Sequence, residues 1–281
     1  ATSDDGYNWT KPKLGLHPAI EGFNGTVIAP ASETNIVLGS PPEQDGKPGY
    51  KQTHYGASVY VEPWTNRQNE QSDPRRFKMA YWAVQGGYGV RRKTDPYGIF
   101  VAFSPDGYHW TRYTDPDGAP QIIGQCQSEG IESPYSDEVA DGKAAMDNST
   151  IWPIPFGAGD VVDVYFDPVA NKYFAQGKTN VIGPDGKTGW KRGVVRAESP
   201  DFVSWSYPQL VLSADEEDLF YKANNDGQTG IQLHSAPAFH YPRSGHHFGL
   251  MQKWNSSNEE SIAIELITSR DGIKWERPFR D

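Results

Sequence analysis

Three polar residues stand at the same distance before a proline in separate parts of the chain. They are Tyr55 before Pro63, Asp160 before Pro168 and His234 before Pro242. Equivalent positions of a repeated structure point to the same place, so these side chains are expected to converge. A carboxylate there, Asp160, can act as a nucleophile, as a general base or as the stabiliser of an oxocarbenium-like centre. The alternative is that Asp160 caps the loop after Gly157 and Gly159.

The histidines allow a second kind of chemistry. His234 can donate a proton, orient a substrate hydroxyl group or bind a metal, but a lone histidine is equally typical of a hydrogen-bonded structural residue. His54, beside Tyr55, adds a second imidazole to the same region. Because no short-range ligand pair such as His-x-x-x-His fixes a coordination geometry, we predict no metal and no other cofactor. His246 and His247 follow a hairpin turn at the opposite end and are expected at the surface.

Glu265 is the third candidate for catalysis. It lies in the strand-like segment "SIAIELITS" (261–269), on the same face as Ile267. Apolar surroundings disfavour the ionised form of a carboxyl group, which is the condition that a general acid needs. The alternative is an ion pair with an arginine of a neighbouring unit, such as Arg196.

Further candidates stand at strand ends that return to the side of Asp160. They are Lys178, Trp254 and Asn255. Aromatic platforms beside amide and ammonium donors suit sugar rings, which expose apolar C–H faces and many hydroxyl groups. We therefore predict substrate binding by these three residues together with His54 and Tyr55. Trp82 stands inside an apolar run and is predicted to belong to the core instead.

A repeated turn indicates how these residues are positioned. Its four copies are "SDDGYNW" (3–9), "SPDGYHW" (104–110), "SPDFVSW" (199–205) and "SRDGIKW" (269–275). The aspartate can accept backbone N–H groups, the glycine supplies a positive φ, and the tryptophan can be buried at the start of the next strand. Phe202 replaces the glycine in the third copy, so that turn is expected to be built slightly differently.

Each interval between turns contains four short apolar segments. In the best-defined unit they are 160–168, 171–179, 193–199 and 209–213. Such units predict four-stranded antiparallel sheets that pack around an axis as blades of a β-propeller, with the first strand of each blade nearest the axis. A β-sandwich is the alternative, but it does not predict the same turn at the same phase of successive units.

The repeat also gives a count of blades. Residues 1–281 form a single predicted domain that holds about two full blades and parts of two others. Since a propeller needs at least about four blades to close, we expect the chain to lack part of the propeller. Exposed blade edges and faces then predict association with further sequence or with a partner.

Composition excludes several classes of partner. The formal net charge of −10 argues against nucleic acids and anionic membrane surfaces, because both favour clusters of Lys and Arg. The single cysteine, Cys126, excludes an internal disulfide and a cysteine-rich zinc site. No apolar run is long enough to span a membrane. We expect an extracellular or periplasmic protein, with no signal peptide among these residues.

Several segments resemble a known family. The segments are "ATSDDGYNWTKPKLGL", "VAFSPDGYHWT", "FDPVANKY" and "SRDGIKWERP". They resemble proteins similar to glycoside hydrolase family 32 and, more distantly, the five-bladed β-propeller enzymes of families 32, 43 and 68. The resemblance covers nearly the whole chain. It implies a five-bladed β-propeller and a glycosidase that cleaves a glycosidic bond in an oligo- or polysaccharide.

The acidic motifs of family 32 are only partly matched. The nucleophile motif Asn-Asp-Pro-Asn is absent from these residues. The resemblance implies that Asp160 corresponds to the transition-state stabiliser of Arg-Asp-Pro, although Gly159 and Val161 replace the arginine and the proline. The acid motif Glu-Cys is replaced by His234 and Ser235. A non-catalytic carbohydrate-binding or scaffold propeller is therefore the alternative function.

Overall fold

The regular structure of the chain is β-strand. The computed structural model describes residues 1–18, 20–21, 26–39, 52–63, 73–85, 97–113, 122–123, 161–181, 191–206, 209–215, 217–220, 231–255 and 261–280. Across these ranges it contains short 3₁₀ turns at Ala31–Glu33 and Glu217–Phe220 and no α-helix. The predicted all-β class is therefore confirmed. In the same part of the chain, no helix has the length and apolarity needed to cross a bilayer.

The strands form a short hairpin and three antiparallel sheets in chain order. The hairpin pairs β1 (Ile20–Glu21) with β2 (Val27–Ala29). Sheet A contains β3 (Gln52–Val61), β4 (Phe77–Gln85), β5 (Tyr97–Ser104), β6 (Thr111–Arg112) and β7 (Ile122–Ile123). Sheet B contains β8 (Val162–Asp167), β9 (Lys172–Val181), β10 (Lys191–Ser199) and β11 (Gln209–Leu212). Sheet C contains β12 (Ile231–Ser235), β13 (Ala238–Tyr241), β14 (His246–Asn255), β15 (Ser261–Ser269) and β16 (Trp275–Glu276).

Each sheet offers four strand positions. In sheet A the fourth position is divided between β6 and β7, which both pair with β5. In sheet C the first position is divided between β12 and β13, which both pair with β14. The break in sheet C falls at Ala236 and Pro237, where proline has no N–H group to donate to a ladder. The predicted four-stranded antiparallel units are therefore confirmed.

The three sheets pack face to face in series. Between sheets A and B, the core includes Ile99 and Val101 from one side and Val164 and Val195 from the other. Trp82 belongs to the same core, as predicted. Between sheets B and C, the core is built from Val194, Leu212, Leu233, Met251 and Ile267. The first strands lie next to one another, since β8 contacts both β3 and β13. Sheet B is therefore covered on both faces, whereas each sheet of a two-sheet β-sandwich is covered on one face only.

The repeated turn has the predicted geometry. At Ser104–Trp110, the carboxylate of Asp106 accepts the N–H groups of Tyr108 and His109 at 2.8 Å, and Gly107 has a φ of +81°. The indole N–H of Trp110 donates to the carbonyl of Gly107 at 2.9 Å. In the first copy, the N–H groups of Asn8 and Tyr7 lower the pKa of Asp5 because they bind its ionised form. Trp9 of that copy is 62% exposed, however, so its predicted burial is wrong.

The turn that contains Phe202 keeps the positive φ and the aspartate hydrogen bonds of the other copies. In those copies the glycine N–H group also donates to the serine hydroxyl group, at 2.8, 2.9 and 2.9 Å. Phe202 has a φ of +67°, and Asp201 accepts the N–H groups of Val203 and Ser204 at 2.8 and 2.7 Å. A left-handed conformation is costly for a residue with a Cβ atom. The fully buried ring of Phe202 offsets this cost by packing edge to face against Phe103, Tyr173 and Trp205.

Candidate functional site

The antiparallel register brings several strand termini to one end of the sheets, which we call the upper end. The paired residues at this end are Gln52 with Gln85, Val181 with Lys191, and Ile231 with Asn255. The prolines Pro63, Pro168 and Pro242 follow the first strands at the opposite, lower end. Most of the predicted site residues stand on segments that reach the upper end, namely His54, Tyr55, Lys178, His234, Trp254 and Asn255.

Asp160, the main catalytic candidate, lies outside the described residues. Its nearest described neighbour in the chain is Val161, which leads into β8. Of His54 and Tyr55, only the backbone in β3 is described. The roles predicted for these three residues therefore stay predictions.

Two predicted residues from neighbouring sheets meet at the upper end. The Nζ atom of Lys178 in β9 lies 3.5 Å from Nε2 of His234 in β12. Lys178 is buried and His234 is half-buried. A neutral imidazole nitrogen can accept a hydrogen bond from an ammonium group, which then fixes the orientation of the ring. This contact places the amine of Lys178 and the imidazole of His234 together at the junction of sheets B and C.

An aromatic platform lies at the same junction. The guanidinium carbon of Arg192 in β10 stands 4.2 Å from the ring centroid of Trp254 in β14, which is a cation–π contact. The N–H group of Arg192 donates to Oε1 of Gln232 at 3.2 Å, and Gln232 is the register partner of Trp254. Neither Arg192 nor Gln232 was predicted to be a site residue. Their positions could have indicated the site, because each residue stands near the start of a strand, at the same end of the sheets as His234.

Asp163 connects the first strands of all three sheets. Its Oδ1 accepts the hydroxyl of Ser58 in β3 at 3.0 Å, and its Oδ2 accepts the N–H of Ala238 in β13 at 3.0 Å. Ser58 in turn accepts the N–H of Val164 at 3.0 Å. Burial raises the pKa of Asp163 above its ordinary value of 3.8, although these hydrogen bonds oppose the shift. Asp163 thus holds β8 between its neighbours, directly after the segment that carries Asp160.

We predict that Asp163→Asn lowers the free energy of unfolding by about 1–2 kcal/mol, because one of the two hydrogen bonds loses its acceptor. The folded state holds the Asp163 proton more tightly than the unfolded state does. The stability that this proton contributes is therefore complete below pH 3.8 and is lost as the pH rises through the folded pKa. Urea unfolding at several pH values should show that the wild type becomes less stable relative to Asp163→Asn as the pH rises. A difference that grows in the opposite direction would refute this assignment.

Glu265 is held in a buried ion-pair cluster. Arg277, which follows β16, donates to both carboxylate oxygens of Glu265 at 2.6 and 2.8 Å. The same guanidinium group donates to Asp218 at 2.7 Å, and Lys253 lies 3.5 Å from Glu265. The contacts favour the ion-pair interpretation, but the expected partner was wrong: Arg196 pairs with Glu198 at 3.0 Å. With its oxygens occupied and its side chain only 4% exposed, Glu265 has little access to a substrate.

A second polar cluster lies at the lower end, between sheets B and C. The expectation that His247 is a surface residue is wrong, because its side chain is 2% exposed. Nε2 of His247 lies 3.4 Å from Asp167, and Nδ1 lies 3.2 Å from the hydroxyl group of Tyr165. Burial lowers the pKa of His247. Alternation along β14 explains the difference, since one of two adjacent histidines must face the neighbouring sheet.

Metal ligation has no support in the described ranges, where no group of three His, Cys, Asp or Glu side chains could hold an ion. The upper-end residues offer hydrogen-bond donors, an imidazole and an indole instead. These groups can bind and orient a polyhydroxylated ligand.

Comparison with known proteins gives structural matches only. No family model matches the chain, and no curated protein matches it. The chain is similar to fructan 1-exohydrolase IIa from Cichorium intybus, with 12% identity and a TM-score of 0.38 over 79% of this chain and 34% of that chain. Sucrose-6-phosphate hydrolase from Lactobacillus gasseri gives 12% identity and a TM-score of 0.41 over 79% and 33% of the two chains. An alpha-L-arabinanase from Penicillium chrysogenum gives 11% identity and a TM-score of 0.40 over 79% of this chain and 50% of that chain.

The chain therefore spans half or less of the length of these three proteins. Their TM-scores all lie below 0.5, so no residue role is transferred from them.

Proposed function

We propose that the chain is part of a five-bladed β-propeller glycosidase that binds an oligo- or polysaccharide at the upper end of its sheets. The observation that carries this proposal is the junction of sheets B and C, where Arg192 stacks on Trp254 and Lys178 contacts His234. An extracellular or periplasmic location belongs to the same proposal.

The chemistry of this junction suits a sugar. The indole of Trp254 and the guanidinium plane of Arg192 offer flat surfaces for the C–H face of a pyranose or furanose ring. Lys178 supplies a donor for ring hydroxyl groups, and the amide of Asn255 at the end of β14 supplies both donors and an acceptor. In this proposal the glycosidic bond lies near the start of β8, the strand that Asp160 precedes in the sequence.

Cleavage of the glycosidic bond needs two groups. In the proposed reaction, Asp160 stabilises or attacks the anomeric carbon while the bond to the leaving oxygen breaks. His234, in its imidazolium form, donates the proton that this oxygen takes up. A water molecule then adds to the anomeric carbon and returns a proton to His234. Glu265, the other acid candidate, is assigned to the ion-pair cluster with Arg277 rather than to catalysis.

A non-catalytic carbohydrate-binding propeller is the second candidate. It is favoured by the engagement of two described carboxylates: Asp163 bonds to Ser58 and Ala238, and Glu265 bonds to Arg277. Under this alternative the upper end binds a glycan but does not cleave it.

The proposal predicts that Trp254→Ala weakens glycan binding roughly tenfold, because the stacking surface is removed. Titration calorimetry with a panel of fructo-, arabino- and galacto-oligosaccharides measures the affinity, and a reducing-sugar assay measures cleavage. Trp9→Ala is the matched control, since Trp9 is 62% exposed and belongs to a turn that lies outside the strands of the three sheets. Binding with release of reducing sugar supports the glycosidase, and binding without release supports the alternative. Equal losses in both variants, or no binding by the wild type, would contradict both functions.

A further inference from the structure

The lower ends of the two junctions between sheets are built from equivalent positions of the repeat. Between sheets A and B, the hydroxyl group of Tyr173 in β9 donates to Glu62, the residue before Pro63. The ring centroid of Tyr173 lies 5.5 Å from that of Tyr60 and 5.0 Å from that of Phe166. Because burial raises the pKa of the Tyr173 phenol above its ordinary value, this ring stays uncharged around neutral pH.

Between sheets B and C, two imidazoles replace two of these rings. His247 corresponds to Tyr173, because each is the register partner of the serine that begins a repeated turn. His240 corresponds to Phe166, because each is the second residue before a hairpin proline. The centroids of the two imidazole rings lie 5.1 Å apart. The B–C junction therefore holds two groups that titrate near neutral pH where the A–B junction holds a phenol and a phenyl ring.

The two imidazoles flank one carboxylate, that of Asp167. Nε2 of His247 lies 3.4 Å from it, and Nε2 of His240 lies 3.8 Å from it. Both distances exceed the roughly 2.7–2.9 Å of a charge-assisted hydrogen bond. The side chain of His240 is 2% exposed, and among the described residues its Nδ1 atom has no hydrogen-bond partner. Because an imidazolium ion needs an acceptor at both nitrogens, the closed junction suits neutral rings.

Charged side chains approach His247 from several elements. Asp167 in β8 and Asp271 in the turn before β16 favour its charged form, whereas Arg196 in β10 and His240 in β13 disfavour it. Burial has the largest effect and lowers the pKa of His247. The other rings in contact with it are uncharged around neutral pH, namely Tyr165, Phe174 and Trp275. Proton uptake is therefore easier when the junction is open to water.

We propose that His240, His247 and Asp167 form an acid-sensitive contact, which opens the lower end of the B–C junction as the pH falls. The open junction binds protons that the closed junction binds poorly, so acid shifts the equilibrium towards the open form. The stability that neutral His247 contributes is complete above pH 6.5 and is lost as the pH falls from there through the folded pKa. This contact lies at the end opposite to the proposed glycan site and operates whether or not a glycan binds there.

Hydrogen–deuterium exchange of the full-length protein measures the opening of each junction. Protection factors, corrected for the intrinsic exchange rate at each pH, are compared between peptides from β13 and β14 and peptides from β4 and β5. For one imidazole that is excluded from protonation only in the closed form, we expect protection of β13 and β14 to fall about tenfold between about pH 7.5 and about pH 5.5. Protection of β4 and β5 should change less than about twofold, since the A–B junction lacks these imidazoles.

Reciprocal variants make the test specific. His247→Tyr gives the B–C junction the residue of the A–B junction and should lose most of the pH dependence. Tyr173→His should introduce a pH dependence at the A–B junction. His246→Tyr is the matched control and should behave as the wild type, because the neighbouring imidazole of His246 bonds instead to the carbonyl group of Ser244 at 2.9 Å.

Three outcomes would overturn the proposal. They are an equal pH dependence at both junctions, an unchanged pH dependence in His247→Tyr, and protection of β13 and β14 that rises on acidification. The last outcome would mean that an imidazolium ion pairs with Asp167 and closes the junction. If His247→Tyr does not fold, His240→Phe provides the same comparison, because Phe166 already occupies the equivalent position. It should lose part of the pH dependence, and an unchanged pH dependence would contradict the proposal in the same way.

Discussion

Asp160→Asn is expected to bind oligosaccharide as tightly as the wild type and to release product about 10²- to 10⁴-fold more slowly. An amide preserves the size of the side chain and its hydrogen bonding, but it neither attacks an anomeric carbon nor accepts a proton. The difference should therefore appear in kcat, whereas binding measured by calorimetry stays unchanged. Reducing-sugar release from the best oligosaccharide of the panel gives the rate.

Glu265→Gln is the matched control, because it is also an acid-to-amide change, but at a carboxylate that is held in the ion-pair cluster with Arg277. Its effect should be on stability, since Glu265 shares Arg277 with Asp218. If Glu265→Gln lost turnover while its melting temperature stayed unchanged, and Asp160→Asn kept full turnover, the assignment of the catalytic carboxylate would be wrong.

The largest loss of stability is expected for Arg277→Met. This change leaves Glu265 and Asp218, whose side chains are 4% and 6% exposed, as carboxylates without their main partner. Removal of one partner from a buried ion pair typically costs about 3–5 kcal/mol, because the remaining charge stays desolvated. Urea unfolding at neutral pH measures the free energy of unfolding.

Two comparisons make this prediction specific. Lys13→Met breaks the Lys13–Glu33 pair, whose side chains are 66% and 51% exposed, and should cost at most about 1 kcal/mol. The double variant Arg277→Met with Glu265→Gln should recover part of the loss, since one buried charge is removed with its partner. A cost below about 1 kcal/mol for Arg277→Met would show that the cluster does not stabilise the fold.

The local parts of the fold could be predicted from the sequence. The turn at Ser104–Trp110 is encoded by residues that contact one another, and the strands around it follow from short apolar segments between turns. At Phe202 the local rule predicts a different residue, because glycine is favoured at positive φ. The structure shows that tertiary packing of a buried ring outweighs that preference.

The contacts between sheets could not be predicted in the same way. Glu265 was recognised as a buried acid, but its partner Arg277 and their shared neighbour Asp218 depend on how the segment after β16 folds against sheet C. Arg192 and Trp254 stand on different strands, so their stacking follows only from the register of β10, β12 and β14. The Ser58–Asp163 hydrogen bond could have been predicted from the repeat. Both residues occupy the same position before their hairpin prolines, so they were expected at the same level of neighbouring sheets.

The repeated turns also have a consequence for the order in which the chain folds. Every hydrogen bond of the turn at Asp106 and Gly107 joins residues that are close in sequence, so closing it costs little chain entropy. Ser58 and Asp163, by contrast, must meet across a long loop. Because such non-local contacts form slowly, the sheets are expected to acquire their hairpins first and to dock on one another later. In refolding experiments, strand content should therefore appear before Trp82 is shielded from solvent between sheets A and B.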